Sequence, residues 1–234
     1  MPHGQPLQIG MILFPGLMQL DLTGPYEVFA SLPESDVLLI AETSAPVRSA
    51  HGLSILPTTT FADAPQCDLL CVPGGPGVDA MMEYAPLLSF LAAQAQGARY
   101  VTSVCTGALL LGAAGLLQGY RAATHWLSMD LLPILGAEPV HERVVIDRNR
   151  ITGGGVTAGI DFGLVVATEL YGEAVAQRIQ LMLEYNPSPP FQSGSPAVAD
   201  PALVEEVRRS GADRRANRRQ LAERAAANIQ RTPA

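Results

Sequence analysis

Lysine is absent from this sequence of 234 residues, so all 15 of its Lys and Arg positions are arginine. The absence excludes Schiff-base chemistry and a phosphate-binding loop that depends on lysine. Cysteine is also scarce. Three cysteines, an odd number, do not indicate a disulfide scaffold in a chain of this length. We therefore expect free thiols in a reducing cytoplasm.

Long hydrophobic runs are missing as well. No apolar run reaches the ~18 residues that indicate a membrane span. The start, MPHGQPLQIG, lacks the basic segment and apolar core of a signal peptide. With 48% hydrophobic and 16% charged residues, the composition is that of a globular protein, which we expect to be cytoplasmic and not to bind a membrane.

Charge is distributed unevenly along the chain. Residues 1–200 hold 7 arginines against 18 acids, net −11, and residues 201–234 hold 8 arginines against 4 acids, net +4. The acidic body argues against nucleic acid as the main partner. We predict an α/β domain over 1–200 and a basic helical extension over 201–234. The extension would pack on the domain or on a second subunit, and nucleic-acid binding by this tail is the alternative.

Strand-like and helix-like segments alternate along residues 7–184. Buried strands are predicted at 7–14, 36–43, 67–75 and 100–104, with a strand pair at 143–155. Helices are predicted at 21–32, 79–95, 106–117, 126–135, 157–171 and 173–184. Because the strands are apolar on both faces, the pattern predicts an α/β fold with a mostly parallel sheet sandwiched between helices.

One of the three cysteines has an unusual setting. Cys105 ends the strand YVTSV and is followed by Thr-Gly and a helix-like run. Small residues at Ser103 and Gly107 are typical of a nucleophile elbow, a sharp strand–nucleophile–helix turn. The following helix N-terminus would favour the thiolate, so we interpret Cys105 as a nucleophile. A small core residue, the alternative, suits Cys67 and Cys71 better.

Further candidate groups follow the other predicted strands, where ligands bind in open parallel sheets. Asp21 follows the first strand. Burial and a nearby thiolate would raise its pKa and make it a proton donor, although it also suits a helix N-cap. The amides after Gly74 and Gly75 are candidates for holding a developing negative charge, and an ordinary tight turn is the alternative.

His125, in the segment ATHW, is the only histidine that we place near this site. It is a candidate pocket residue more than a catalytic base, and it suits a helix start or a packing role equally well. The strand pair ends at Gly153–Gly155, which brings exposed backbone to the same edge of the sheet.

Four segments together resemble the ThiJ/PfpI superfamily, whose sheet is flavodoxin-like: FPGLMQLDLTGPYEVF, CVPGGPG, YVTSVCTGALLLGAAGLLQGYRAATHW and ITGGGVTAGIDFGL. The resemblance runs from about residue 7 to residue 185. Thr106 stands where the protease-like members have a histidine, so that proton relay is missing. With the segment RIQLMLEYNPSPPFQSGSP, the chain is most similar to members that hydrate isonitriles.

This resemblance implies that the protein adds water to a small-molecule isonitrile (isocyanide) and forms an N-substituted formamide, without metal or organic cofactor. Asp21, Cys105 and Thr106 would carry the chemistry, and Gly74, Gly75 and Gly154 would line the pocket. The resemblance also implies a homodimer. Two other classes stay open: a thiol enzyme for small carbonyls, of glyoxalase or deglycase type, and a non-enzymatic ligand or redox sensor. It is also open whether Cys105 bonds to the substrate or Asp21 activates water directly.

Overall fold

The structure, a computed structural model, describes residues 6–231, so residues 1–5 and 232–234 of the two predicted domains lie outside the described residues. The strands are β1 (Leu7–Ile12), β2 (Ser35–Ala41), β3 (Val47–Arg48), β4 (Ser54–Ile55), β5 (Thr59–Thr60), β6 (Leu69–Val72), β7 (Tyr100–Val104), β8 (Arg121–Ala122), β9 (Glu138–Pro139), β10 (Val144–Asp147) and β11 (Arg150–Gly153). The α-helices are α1 (Gln19–Phe29), α2 (Val78–Met81), α3 (Ala85–Gly97), α4 (Gly107–Ala113), α5 (Ala158–Tyr171), α6 (Glu173–Met182), α7 (Pro201–Ser210) and α8 (Ala212–Arg231).

A seven-stranded sheet forms the centre of the fold, in the order β10-β11-β7-β6-β1-β2-β5. All neighbours are parallel except β10 and β11, which form the antiparallel strand pair that the sequence predicts. Residues of β6 and β11 are buried throughout, as expected for strands covered on both faces. The predicted fold class, a mostly parallel sheet between helices, is confirmed.

The helices form two groups around the sheet. Helix α1 packs against α5, which in turn packs against α6. Helix α4 packs against α2, α3 and α8, and α8 also contacts two short 3-10 helices, Trp126–Leu131 and Pro133–Leu135.

Two helix predictions differ from the structure because of proline. The predicted helix 79–95 is divided into α2 and α3, with Pro86 in the first turn of α3. Proline has no N–H for an intrahelical hydrogen bond, so it favours the start of a new helix. The predicted helix 126–135 consists of the two 3-10 helices, the second of which begins at Pro133.

Short strands were not predicted for residues 47–60. Strands β3 and β4 form a two-residue antiparallel pair, and β5 adds two residues at the edge of the main sheet. Elements of this length contain no hydrophobic period that distinguishes them from a loop.

Candidate active site

Cys105 occupies the sharp turn between β7 and α4. Its φ of 57° lies in the left-handed region, which non-glycine residues rarely adopt. The Cys105 N–H donates to the carbonyl oxygens of Gly153 and Gly154, at 3.0 and 2.9 Å. These bonds to the end of β11 hold the strained residue in place, as expected for a nucleophile elbow.

Gly107 allows α4 to begin directly behind the cysteine. A Cβ atom at this position would overlap the carbonyl oxygen of Val72 in β6. Only glycine therefore fits between the first turn of α4 and the end of the neighbouring strand.

Asp21 lies in the first turn of α1 and is 0% exposed. The N-cap of α1 is Met18, so the alternative interpretation of Asp21 as an N-cap is wrong. Asp21 Oδ2 instead accepts a hydrogen bond from the N–H of Gly74, at 3.0 Å. The other oxygen, Oδ1, is buried and has no hydrogen-bond partner of normal geometry within residues 6–231.

The carboxyl of Asp21 and the thiol of Cys105 are close enough to affect each other's ionisation. Burial raises the pKa of Asp21 from 3.8 to about 7, and the neighbouring Cys105 thiol and the Gly74 N–H oppose that rise. Burial, followed by the charge of Asp21, raises the pKa of Cys105 above its ordinary value. Both shifts favour the protonated forms.

The shift at Cys105 corrects an expectation from the sequence. The start of α4 was expected to favour the thiolate, but Cys105 is only 5% exposed and faces an acid. Desolvation outweighs the contribution of the short helix and its amides. The thiol therefore needs a base to accept its proton, and Asp21 is the neighbouring group that can do so.

Thr106 is held by the loop after β6. The N–H of Gly75 donates to Thr106 Oγ1 at 3.0 Å. The neighbouring Gly74 approaches Thr106 so closely that a Cβ atom on Gly74 would lie 2.5 Å from the Thr106 nitrogen. Asp21, Cys105 and Thr106 are thus brought together through one loop.

The two glycine amides have a different partner from the one expected. From the sequence, the N–H groups of Gly74 and Gly75 are candidates for holding a developing negative charge, with an ordinary tight turn as the alternative. In the structure they donate to the side chains of Asp21 and Thr106. These two N–H groups therefore orient the reactive side chains of Asp21 and Thr106.

A cavity of about 480 Å³ lies next to the elbow, and its lining includes the predicted pocket residues Gly154 and His125. Two hydrogen bonds connect it to Cys105. Thr124 Oγ1 donates to the Cys105 carbonyl at 2.8 Å, and Gly154 accepts from the Cys105 N–H. Cys105 and Asp21 themselves are not among the residues that line the cavity.

His125 forms part of the wall of this cavity. Its Nδ1 accepts the N–H of Leu127, at 3.3 Å, and this bond caps the 3-10 helix Trp126–Leu131. Burial lowers the pKa of His125, and the positive charge of Arg218 contributes. The hydrogen bonds of the described residues do not join His125 to Cys105 or Asp21.

Cys67 and Cys71 lie in the hydrophobic core with no exposed surface. Burial raises the pKa of Cys67 to about 11 and that of Cys71 to about 12, which keeps both as thiols. Among residues 6–231 no group of three or more His, Cys, Asp or Glu side chains is arranged to hold a metal ion.

Some residues at this site were not singled out from the sequence. Residues 194–197, in the Pro/Ser/Gly-rich segment 186–201, line the cavity. Thr124 was overlooked too, because a threonine beside His125 carries no local signal of its bond to Cys105. Arg143 also lines the cavity and pairs with Asp161, which accepts a hydrogen bond from Tyr185.

Comparison with known proteins gives consistent matches. Residues 8–169 match the DJ-1/PfpI family. The chain is 58% identical over 223 residues to the isonitrile hydratase of Pseudomonas putida, which covers 95% of this chain and 98% of that protein. The crystal structure of a THiJ/PfpI family protein from Pseudomonas syringae superposes with a TM-score of 0.91 at 43% identity, covering 94% of this chain and 92% of that one. No helix in residues 6–231 has the length and hydropathy needed to cross a bilayer.

Proposed function

The chain belongs to the DJ-1/PfpI family, and we propose that it is an isonitrile hydratase, which converts an isocyanide and water into an N-substituted formamide. The observation that carries this proposal is the buried pair of Asp21 and Cys105, with no imidazole of residues 6–231 hydrogen-bonded to either. Its similarity to the Pseudomonas putida isonitrile hydratase over almost the whole chain supports the choice of substrate.

The catalytic unit in this proposal is the pair of Asp21 and Cys105 with one shared proton. The pKa of Asp21 is about 7 and that of Cys105 lies above its ordinary value, so the active form near neutral pH is a thiol beside a carboxylate. The two groups titrate as a coupled pair. The unpartnered Oδ1 of Asp21 is the oxygen available to take the thiol proton.

In the first step the Cys105 sulfur attacks the terminal carbon of the isonitrile R–N≡C while its proton passes to Asp21. Asp21 then delivers this proton to the same carbon, which gives the thioimidate R–N=CH–S–Cys105. One S–H bond breaks, and one C–S and one C–H bond form. Asp21 returns to its carboxylate form, ready for a second proton transfer.

In the second step water adds across the C=N bond of the thioimidate. Asp21 accepts a proton from water as the oxygen attacks carbon, and it passes this proton to the nitrogen. The C–S bond of the adduct R–NH–CH(OH)–S–Cys105 then breaks, the hydroxyl proton returns to sulfur, and R–NH–CHO leaves. Thr106, with its hydroxyl fixed by the Gly75 amide, orients the water.

The wider organisation is part of the proposal. Residues 1–200 form the ThiJ/PfpI-like domain and residues 201–234 a helical extension packed on it, which is supported by the contacts of α8 with α4 and both 3-10 helices. The protein acts as a homodimer, as the family resemblance implies, and it acts in the cytoplasm. The three free cysteines fit a reducing compartment.

The test is to incubate the purified protein with cyclohexyl isocyanide and, in parallel, with methylglyoxal. We expect N-cyclohexylformamide to form and methylglyoxal to persist. Asp21→Asn and Cys105→Ala should each slow turnover by about a thousandfold or more, whereas Cys67→Ala, which removes a thiol from the core, should retain it. Consumption of methylglyoxal alone would favour the carbonyl-acting class. Turnover of neither compound, with sulfenic acid at Cys105, would favour the sensor.

A further inference from the structure

We infer that Arg218, in the C-terminal helix α8, is a positioning residue that joins α2, which follows the glycine loop of the active site, to the 3-10 helix Trp126–Leu131 of the cavity wall. Its side chain is only 9% exposed. Arg218 Nε lies 2.5 Å from Asp79 Oδ1, and Nη1 lies 3.3 Å from Ser128 Oγ. A guanidinium holds two partners in fixed directions because its donors form a rigid planar fork.

The contact with Asp79 leads to the reactive side chains. Asp79 lies in α2, directly after the loop that contains Gly74 and Gly75. The N–H of Val78 donates to the Gly75 carbonyl, and the N–H of Asp79 to the Pro76 carbonyl, each at 3.3 Å. Fixing α2 therefore fixes the two amides that orient Asp21 and Thr106.

The contact with Ser128 leads to the cavity wall. The Ser128 N–H donates to the His125 carbonyl at 2.8 Å. Ser128 lies in the 3-10 helix whose members Trp126 and Met129 line the cavity. Arg218 therefore holds the wall and the catalytic loop at a constant separation.

The charge of Arg218 acts on the same wall. Together with burial it lowers the pKa of His125 and so favours a neutral imidazole. The other titratable groups that line this cavity are His141, Glu142 and Arg143. They face the cavity from the segment before β10, whereas Arg218 approaches from α8.

Arg224 provides a matched control on the same helix. It pairs with Glu83 at 2.7 Å, in the connection between α2 and α3, and its side chain is 54% exposed. This pair docks α8 on the domain without contacting Ser128 or Asp79. If Arg218 only docked the helix, the two arginines would be equivalent or Arg218 would differ only in stability.

The experiment compares Arg218→Gln, Arg218→Lys and Arg224→Gln in the full-length protein. We expect Arg218→Gln to lower kcat/KM for cyclohexyl isocyanide about tenfold, since it removes charge-assisted hydrogen bonds, with partial recovery in Arg218→Lys and no change in Arg224→Gln. The NMR titration of the His125 ring should shift to higher pH in Arg218→Gln alone, because a nearby positive charge has been removed. The emission of Trp126, the single tryptophan, should change in the same variant.

Equal kinetics and equal His125 titrations in Arg218→Gln and Arg224→Gln would overturn the inference. If Arg218→Gln does not fold, Ser128→Ala removes one of the two contacts and must lower kcat/KM and alter Trp126 emission. The inference rests on the proposed function for its kinetics only. Absence of isocyanide turnover in the wild type would refute that function, while the NMR and fluorescence comparison would still decide the role of Arg218.

Discussion

Asp21→Asn is expected to abolish activity and to stabilise the protein at alkaline pH. The carboxyl is fully buried, and only one of its oxygens has a hydrogen-bond partner of normal geometry among residues 6–231. Asparagine has nearly the same shape and keeps an oxygen to accept the Gly74 N–H. The substitution therefore removes the buried charge and keeps this hydrogen bond.

The magnitude follows from the pKa of Asp21, which rises from 3.8 to about 7 on folding, mainly through burial. Between these two values the folded protein binds a proton that the unfolded chain has released. Wild-type stability is therefore lost as the pH rises from about 4 to about 7, in total about 4 kcal/mol. The variant does not lose this free energy, so its advantage grows over the same interval.

The assay is urea unfolding followed by Trp126 emission, at about pH 4 and about pH 8. The difference in unfolding free energy between Asp21→Asn and the wild type should increase by up to about 4 kcal/mol between these conditions. Glu27→Gln replaces an exposed acid on the same helix and should show little change. A difference that is independent of pH, or that decreases toward alkaline pH, would refute the assignment of Asp21 as a destabilising buried acid.

Three other predictions concern activity and the elbow. The kcat/KM of the wild type should rise with pH through about 7, as Asp21 becomes a base; a profile that is flat there would contradict the shared-proton pair. Thr106→Val should lower turnover, because the buried Gly75 N–H loses its acceptor and the unsatisfied donor destabilises the site by about 1–3 kcal/mol. Thr106→Ser keeps a hydroxyl and should retain turnover. Equal rates in the two variants would exclude a role for the hydroxyl. Gly107→Ala should destabilise the protein by about 1–3 kcal/mol in urea unfolding, since the added Cβ overlaps the Val72 carbonyl. Gly211→Ala, whose Cβ meets only an ordinary van der Waals contact, should be tolerated. An unchanged urea midpoint for Gly107→Ala would mean that α4 does not approach β6 this closely.

The sequence was sufficient to predict the elbow and the strand that leads into it, because the signals are local. The run YVTSV predicts β7, and the small residues beside Cys105 indicate the turn whose strained φ the structure shows. The family membership inferred from these segments is confirmed by the match over residues 8–169. Patterns of this kind depend on neighbours along the chain, which a sequence displays directly.

Long-range partners were not predictable in the same way. Gly74 bonds to Asp21 across 53 residues and Gly75 to Thr106 across 31, so no local pattern indicates that these amides are occupied. The raised pKa of Cys105 also depends on how completely the fold buries it. Arg218 was part of a tail that sequence composition describes only as basic, and its contacts with Asp79 and Ser128 appear only in three dimensions.

Rapid-quench intact-mass measurement with excess enzyme and cyclohexyl isocyanide tests the central claim most directly. We expect a transient adduct with the mass of one intact isocyanide, located at Cys105, that forms and decays at the rate of formamide production and is absent from Cys105→Ala. Formamide production by Cys105→Ala at the wild-type rate, with no adduct in the wild type, would show that Asp21 activates water without a covalent intermediate and would contradict the account.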